Sequence, residues 1–230
     1  MLWYNGISSG ELGVVVEHYP PRPVPKRKAS RWSIPGRSGD LIRYEDAWEN
    51  VIQTYEIAIV APRRDLSRQI GAVAAWLMAT GYHRLEDSYD PEIYRMAAFL
   101  GGPEVEDVLH RFGRARIQFD CCPQRYLKAG EELVTFTAAG SLFNPTGCPA
   151  KPIITLRGSG AATLTVGGST LQFTSCSGLI LDCDTENASG IQNANADVSG
   201  TYPILGAGET AISFSGGITS LEIFPRWYEI

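Results

Sequence analysis

The 230-residue chain is 44% hydrophobic and 20% charged, an ordinary globular balance that allows one large or two small cored domains and excludes wholesale disorder. Its formal net charge of −5 carries no whole-chain signature of nucleic-acid binding. The charge is uneven: residues 1–129 hold 17 Lys/Arg against 16 Asp/Glu, and residues 130–230 hold 3 against 9, which points to two units with different surfaces.

The opening Met1-Leu2-Trp3-Tyr4-Asn5-Gly6 has no basic start, and Val14-Val15-Val16 is followed at once by Glu17, so no signal peptide is expected. No apolar run approaches bilayer length. Synthesis and assembly in a cytoplasm, without membrane insertion, are the expectation. Residues 11–19 read as a strand because β-branched residues dominate. Pro20-Pro21-Arg22-Pro23-Val24-Pro25 then forms an extended, polyproline-like connector. Lys26-Arg27-Lys28 comes directly after it, read as a solvated loop or as a contact for an acidic partner or DNA backbone. Pro35-Gly36 marks a tight turn and Gly39 a second reversal. Residues 51–60 alternate apolar and polar around Tyr55, Ile57 and Ile59, a strand pattern.

A helix is predicted over residues 66–80. Leu66, Ile70, Val73, Ala74 and Leu77 make one apolar stripe, Asp65 is placed to cap it, and Gly81 sits where a left-handed residue belongs. Trp76 and Met78 fall off the stripe's centre and are expected to face another element or a neighbouring subunit. Strands are predicted next over 92–100, 104–110 and 114–120, giving an α+β first unit, an antiparallel sheet with one packed helix. From about residue 130 helical periodicity disappears. Short strands are predicted over 132–138, 152–157, 162–167, 169–174, 178–182, 210–214 and 219–225, with Gly167-Gly168 as a hairpin turn; this is the pattern of an all-β sandwich. The division expected is 1–129 and 130–230.

Chemistry-bearing constellations are sparse. His18, His83 and His110 are scattered outside any metal-ligand spacing. Cys121, Cys122, Cys148, Cys176 and Cys183 form no C-x-x-C pair, and an odd count argues for buried thiols over a disulfide framework. Gly158-Ser159-Gly160 and Gly206-Ala207-Gly208 do not complete G-x-G-x-x-G and open no predicted helix, so turn glycines account for both. Asp182-Cys183-Asp184-Thr185-Glu186 lacks the loop pattern of a dedicated calcium site, and a polar loop is expected there; Glu86, Asp87 and Asp90 are expected in a solvated turn. No nucleophile, base and orienting group can be brought together. Catalytic, cofactor-binding and metal residues are therefore each assigned as none, and no cofactor is expected.

Many segments together resemble the distal tail proteins of long, non-contractile phage tails. Residues 3–19 resemble that family's opening strand and turn, and Ile34-Pro35-Gly36-Arg37-Ser38-Gly39-Asp40-Leu41 its P-G-R-x-G-x-L segment. Trp76-Leu77 with Gly81-Tyr82 and residues 87–95 resemble the family's helix and the stretch after it. Phe119-Asp120-Cys121-Cys122-Pro123-Gln124-Arg125-Tyr126-Leu127 resembles the strand end that closes the first domain. Phe143-Asn144-Pro145-Thr146, Leu181-Asp182-Cys183-Asp184, Tyr202-Pro203-Ile204-Leu205 and Pro225-Arg226-Trp227 resemble parts of the second.

The resemblance implies a non-enzymatic structural protein of a bacteriophage or prophage virion. Its first domain, a split barrel with one helix, would form a hexameric ring, and a galectin-like sandwich would project outward. The implied partners are further copies of the chain, the tail-tube protein, the tape measure protein and a baseplate hub or tail-associated lysin-type protein. DNA would cross the bore without tight binding, so Lys26-Arg27-Lys28 is not expected to form a continuous positive lining. The location implied is the virion tail tip, reached from the host cytoplasm during assembly. Trp3, Trp32 and Trp48 are candidates for the ring contact, with core packing as the alternative for each. The inserted carbohydrate-binding module of larger relatives has no counterpart in these residues. The alternative function is a carbohydrate-binding host-adhesion module using the sandwich. Its aromatics (Phe136, Phe143, Phe173, Tyr202, Phe214, Phe224, Trp227 and Tyr228) are expected mostly in the core.

Overall fold

Alternation in residues 51–60 places Val51, Gln53, Tyr55, Ile57 and Ile59 on one buried face and leaves Ile52, Glu56 and Val60 exposed on the other, as a half-buried strand requires. The computed structural model, which describes residues 1–60, 65–101, 105–108 and 112–230, builds the first unit around that strand. The chain divides into two compact units, Met1–Arg125 with Ile230, and Tyr126–Glu229. The first contains β1 (Leu2–Tyr4), β2 (Ile7–Ser8), β3 (Val14–Val16), β4 (Arg27–Trp32), β5 (Leu41–Trp48), β6 (Val51–Val60), α1 (Leu66–Leu77), β7 (His83–Asp87), β8 (Ile93–Phe99), β9 (Val105–Val108) and β10 (Phe112–Cys121). From Arg125 onward come β11 (Arg125–Leu127), β12 (Val134–Phe136), β13 (Gly140–Asn144), β14 (Ile153–Val166) and β15 (Ser169–Phe173). The remaining strands are β16 (Ile180–Asp182), β17 (Asn187–Ser189), β18 (Val198–Gly200), β19 (Gly208–Phe224) and β20 (Tyr228–Glu229).

The first unit is an antiparallel sheet in the order β2-β1-β7-β8-β10-β6-β3, with β9 also paired to β10. Its spine is the β6–β10 ladder, in register from Val51↔Cys121 to Val60↔Phe112. Ala115, Ile117, Phe119 and Cys121 meet the buried face of β6, while Arg114, Arg116 and Gln118 point the other way to solvent. Helix α1 covers the buried face with Leu66, Val73, Trp76 and Leu77. Burying each such side chain is worth about 1.5–3 kcal/mol. Asp65 caps the helix by accepting from the Arg68 amide at 3.3 Å. Trp76 faces another element, as expected: it is buried and donates its indole N–H to the Tyr4 carbonyl at 2.9 Å. The helix is shorter than the predicted 66–80 because the stripe ends at Leu77. Met78 already points to solvent, and Gly81 reverses the chain at φ +92° before β7 begins.

Other elements of this unit also depart from what the sequence predicts. The predicted strand over 11–19 contracts to Val14–Val16, because Ser9–Leu12 forms a 3-10 turn capped by Ser8 and closed by Gly13 at φ +62°. A side chain at Gly13 would stand 2.5 Å from the Val60 carbonyl oxygen, so the turn docks on β6 only with glycine there. Strand β7, which periodicity does not reveal, carries four ionisable residues in His83-Arg84-Leu85-Glu86-Asp87 and so shows no apolar alternation. Its place between β1 and β8 makes it a strand nonetheless. The predicted strand over 104–110 corresponds to β9; residues 104, 109 and 110 lie outside the described residues.

The second unit is a curled, eight-stranded antiparallel sheet with the path β12-β19-β14-β15-β18; β13 pairs β19, β16 pairs β14, and β17 pairs β16. The predicted strands 152–157 and 162–167 are one strand, β14, and 210–214 with 219–225 are one strand, β19. The interruption at Gly158-Ser159-Gly160 is a bulge inside a continuing ladder. Register shifts fall at Arg157/Gly158 and Gly158/Ala162, while pairing runs on from Ile153↔Phe224 to Val166↔Ile212. Those glycines therefore serve a bulge, not a turn between strands. Gly167-Gly168 does make the expected two-residue turn, joining Val166 to Ser169. The core holds Ile154, Leu156, Leu164, Leu171, Leu181, Leu221 and Ile223, each at most 1% exposed.

The bulge sets up a contrast between two glycines. A Cβ at Gly158 (φ +151°) would lie 2.0 Å from the Gly217 carbonyl oxygen, whereas one at Gly168 meets nothing within 4 Å. Gly158→Ala is expected to destabilise by more than about 2 kcal/mol, and Gly168→Ala to change stability by less than about 1 kcal/mol, both read from urea unfolding. Equal effects would contradict the bulge as described.

Candidate functional site

The β4–β5 hairpin has two faces, and neither is covered among the described residues. Among those residues the strands pair only with each other, in register Trp32↔Leu41, Arg31↔Ile42, Ser30↔Arg43 and Ala29↔Tyr44. Alternation therefore puts Trp32 and Leu41 on one face and Ile42 and Tyr44 on the other. Their exposures are 46%, 46%, 41% and 61% respectively. The sequence places turns at Pro35-Gly36 and Gly39 without assigning the flanking strands. The turn is real, with the Arg37 amide donating to the Ile34 carbonyl at 3.1 Å. Charged and apolar residues mixed on both faces hide the strands, since no alternation distinguishes an arm exposed on both sides. A lone two-stranded sheet is marginal in water, and clustered exposed apolar side chains mark a surface built to be covered.

The root of the hairpin is fastened. The Glu49 amide donates to the Lys26 carbonyl at 2.8 Å. Arg27 lies 5.1 Å from the ring centre of Trp48 and 5.9 Å from that of Tyr44, so one cation of the Lys26-Arg27-Lys28 triplet is held on aromatic faces. Asn50, at the junction with β6, donates to Tyr82 at 2.7 Å and to Asp120 at 3.1 Å. Trp3 and Trp48 are half-buried, whereas Trp32 is open.

The proline-rich connector that leads into the hairpin is tied down as well. Gln53 donates to the Pro21 carbonyl at 2.9 Å, Tyr19 packs edge-on against Tyr89 at 5.0 Å, and Arg22 donates to the Tyr19 hydroxyl at 2.8 Å. The expected solvated turn at Glu86, Asp87 and Asp90 is instead a partly buried polar network. Asp87 accepts the Tyr55 hydroxyl at 2.8 Å and the Tyr89 and Asp90 amides at 2.9 and 3.0 Å. Burial first, then the Asp87 charge, raise the Tyr55 pKa well above that of a free phenol, so the hydroxyl stays a neutral donor.

The other candidate residues are dispersed. His18 and Glu56 approach to 3.8 Å at the surface, and His83 contacts the Thr80 carbonyl at 3.0 Å; His110 lies outside the described residues. All five cysteines are free. Burial pushes the Cys121 and Cys183 thiols up to about 12, which leaves them protonated and unreactive. Among the described residues no His/Cys/Asp/Glu group is arranged to hold a metal, and no helix is long and apolar enough to cross a membrane. In the 182–186 loop the Asp182 carboxylate is gripped by Arg226 at 2.7 and 3.2 Å, so its oxygens are committed to a guanidinium. Of the second unit's aromatics, Phe173 and Trp227 are buried and Phe136, Tyr202 and Phe214 pack against the core. Phe143 departs from the expected core placement at 66% exposed, because β13 turns its alternate residues outward at the sheet edge.

No family model matches the chain, and no curated protein does. Among solved structures it is similar to the crystal structure of the SPP1 Dit (gp 19.1) protein, described there as a paradigm of the hub adsorption apparatus in phages that infect Gram-positive bacteria. The two share 15% identity at a TM-score of 0.78, over 100% of this chain and 98% of that one. The likeness extends through both units and establishes a shared fold.

The Asp182–Arg226 pair supplies a pH test. Hydrogen bonds from Arg226 are the main cause that lowers the Asp182 pKa, with burial opposing. A depressed folded pKa stabilises above the unfolded value of about 3.9 and loses that contribution as pH falls through the folded value. The stability difference between the parent and Asp182→Asn, measured by urea unfolding, is expected to be constant from pH 7 to 5 and to shrink below about pH 4. A difference independent of pH down to 2 would contradict the pairing.

Proposed function

We propose that this chain is a structural subunit of a phage tail tip, a distal tail protein that closes into a ring of six copies. The ring joins the tail-tube and tape measure proteins on one side to a hub or tail-associated lysin-type protein on the other, and DNA crosses its bore. The observation that carries this reading is the β4–β5 hairpin, which exposes apolar side chains on both of its faces. A head-to-tail contact repeated around an axis closes a ring, and an arm held between two neighbouring copies is covered on both faces at once. The fold shared with a phage hub-apparatus protein over the whole chain supports the same reading.

In this account residues 1–129 form the ring, and residues 130–230 form a galectin-like sandwich that projects outward. The role requires no catalysis, cofactor or metal. The subunit belongs to the virion tail tip and is assembled in the host cytoplasm.

Trp32→Asp combined with Tyr44→Asp is expected to weaken self-association by roughly 30-fold or more, equivalent to about 2 kcal/mol at an interface hot spot, with no loss of thermal stability in the isolated chain. Sedimentation equilibrium checks this, and parental association by the double variant would contradict the arm as the contact. The assembled ring is also expected not to retain DNA, because strong phosphate binding would retard its passage. Tight, length-dependent mobility shifts at low salt would contradict that part.

A further inference from the structure

We propose that the cleft between the Tyr19–Arg22 segment and strands β6, β7 and β8 is a binding site for a single carboxylate group, received by Arg95. Three guanidinium groups line the cleft (Arg22, Arg95 and Arg125) against two carboxylates (Asp87 and Asp90). The acidic groups are already committed. Asp87 is occupied by Tyr55 and two backbone amides. Asp90 is paired with Arg125 and lies 3.6 Å from Arg22. Arg95 is left over. It is only 9% exposed, and its Nη1 has no hydrogen-bond partner among the described residues.

A buried guanidinium nitrogen without an acceptor is costly, and a buried cation is stable when an anion faces it. Asp87 acts on Arg95 by its charge, but among the described residues no acceptor reaches Nη1. Cys121, beside Arg95, is a protonated thiol with its pKa at about 12. Tyr55 is a neutral phenol whose proton goes to Asp87. Burial is the largest cause acting on the Arg95 pKa and lowers it, the charge of Arg125 adds to that, and the opposing influence of Cys121, Tyr55 and Asp87 does not cancel them, the opposite of what a settled ion pair does. One negative charge would pair with Arg95.

Size selects the ligand class. The cavity is about 40 Å³, and one water needs about 10–15 Å³ of such space, so the room suits a group of roughly three heavy atoms. A carboxylate has three, carries one charge and matches the planar fork of a guanidinium. Phosphate has five heavy atoms and more charge than the cleft lacks. The Tyr19–Arg22 roof is held by the Gln53–Pro21 hydrogen bond and the Tyr19–Tyr89 ring contact, and the chain continues from it into the β4–β5 arm. A carboxylate seated on Arg95 therefore tightens the root of that arm. It comes either from a free small acid or from an Asp or Glu side chain of another protein, and the site does not depend on the tail-ring reading.

The experiment is thermal unfolding of the full chain at fixed ionic strength, titrated with sodium formate or with acetyl-aspartate amide, against sodium chloride. A saturable rise of a few degrees is expected with formate in the parent and none in Arg95→Met. A matching rise with the blocked aspartate identifies a protein side chain as the source, and a formate response alone identifies a free acid. No saturable shift, or an equal shift in Arg95→Met, overturns the proposal. Should Arg95→Met fail to fold, a high-resolution crystal structure of the parent grown in formate decides. Density for a planar anion on the Arg95 guanidinium upholds the site, and an ordered water there alone overturns it.

Discussion

The β6–β10 ladder is the constraint from which the first unit is built. One face of those two strands carries Tyr55, Ile57, Ile59, Ile117 and Phe119, each almost wholly buried, and that face is what α1 covers. The same strands fix the accessory parts. Gly13 docks a turn on Val60, Gln53 holds the connector at Pro21, and Asn50 ties the strand start to Asp120. The β4–β5 arm leaves the body between the tied connector and the start of β6, so its two ends are anchored to a well-buried strand while its own faces stay free.

That contrast between an anchored root and an uncovered arm links structure to proposed role. A protein that functions alone gains nothing by exposing Trp32, Leu41, Ile42 and Tyr44 on a two-stranded sheet. A subunit that must find a neighbour on each side needs such an arm, held in a fixed direction. The polar cleft at the connector adds a second way to stiffen the root, by charge instead of apolar contact. The second unit obeys a different principle, with two long strands bent at glycines where no side chain fits, so that a single sheet curls around its own core.

How much is legible in the sequence depends on whether burial is one-sided. Strand β6 and helix α1 are readable because each buries one face, which leaves a period in the sequence. Strand β7 and the hairpin are not, since one is a charged strand sandwiched by pairing and the other is exposed on both sides. The long strands β14 and β19 each read as two, because glycines that usually end strands here make a bulge within one. The cleft at Arg95 is the least legible part. Arg95 lies in an apolar strand, Ile93-Tyr94-Arg95-Met96-Ala97-Ala98-Phe99, and only the fold brings it together with Arg22 and Arg125 from distant parts of the chain. The tail-protein resemblance is carried by turn and strand-end residues, which mark a fold more than a contact, and so it points to the architecture without assigning the interface.

The proposed role rests on closure of this chain into a ring through its arm. The most direct test is its absolute mass in solution by light scattering across a concentration series. Closure of the ring predicts a plateau at roughly 150 kDa, six copies of a 25.1 kDa chain in one cyclic assembly. A mass of 25.1 kDa at every concentration, or growth without a plateau as an open filament gives, would contradict it.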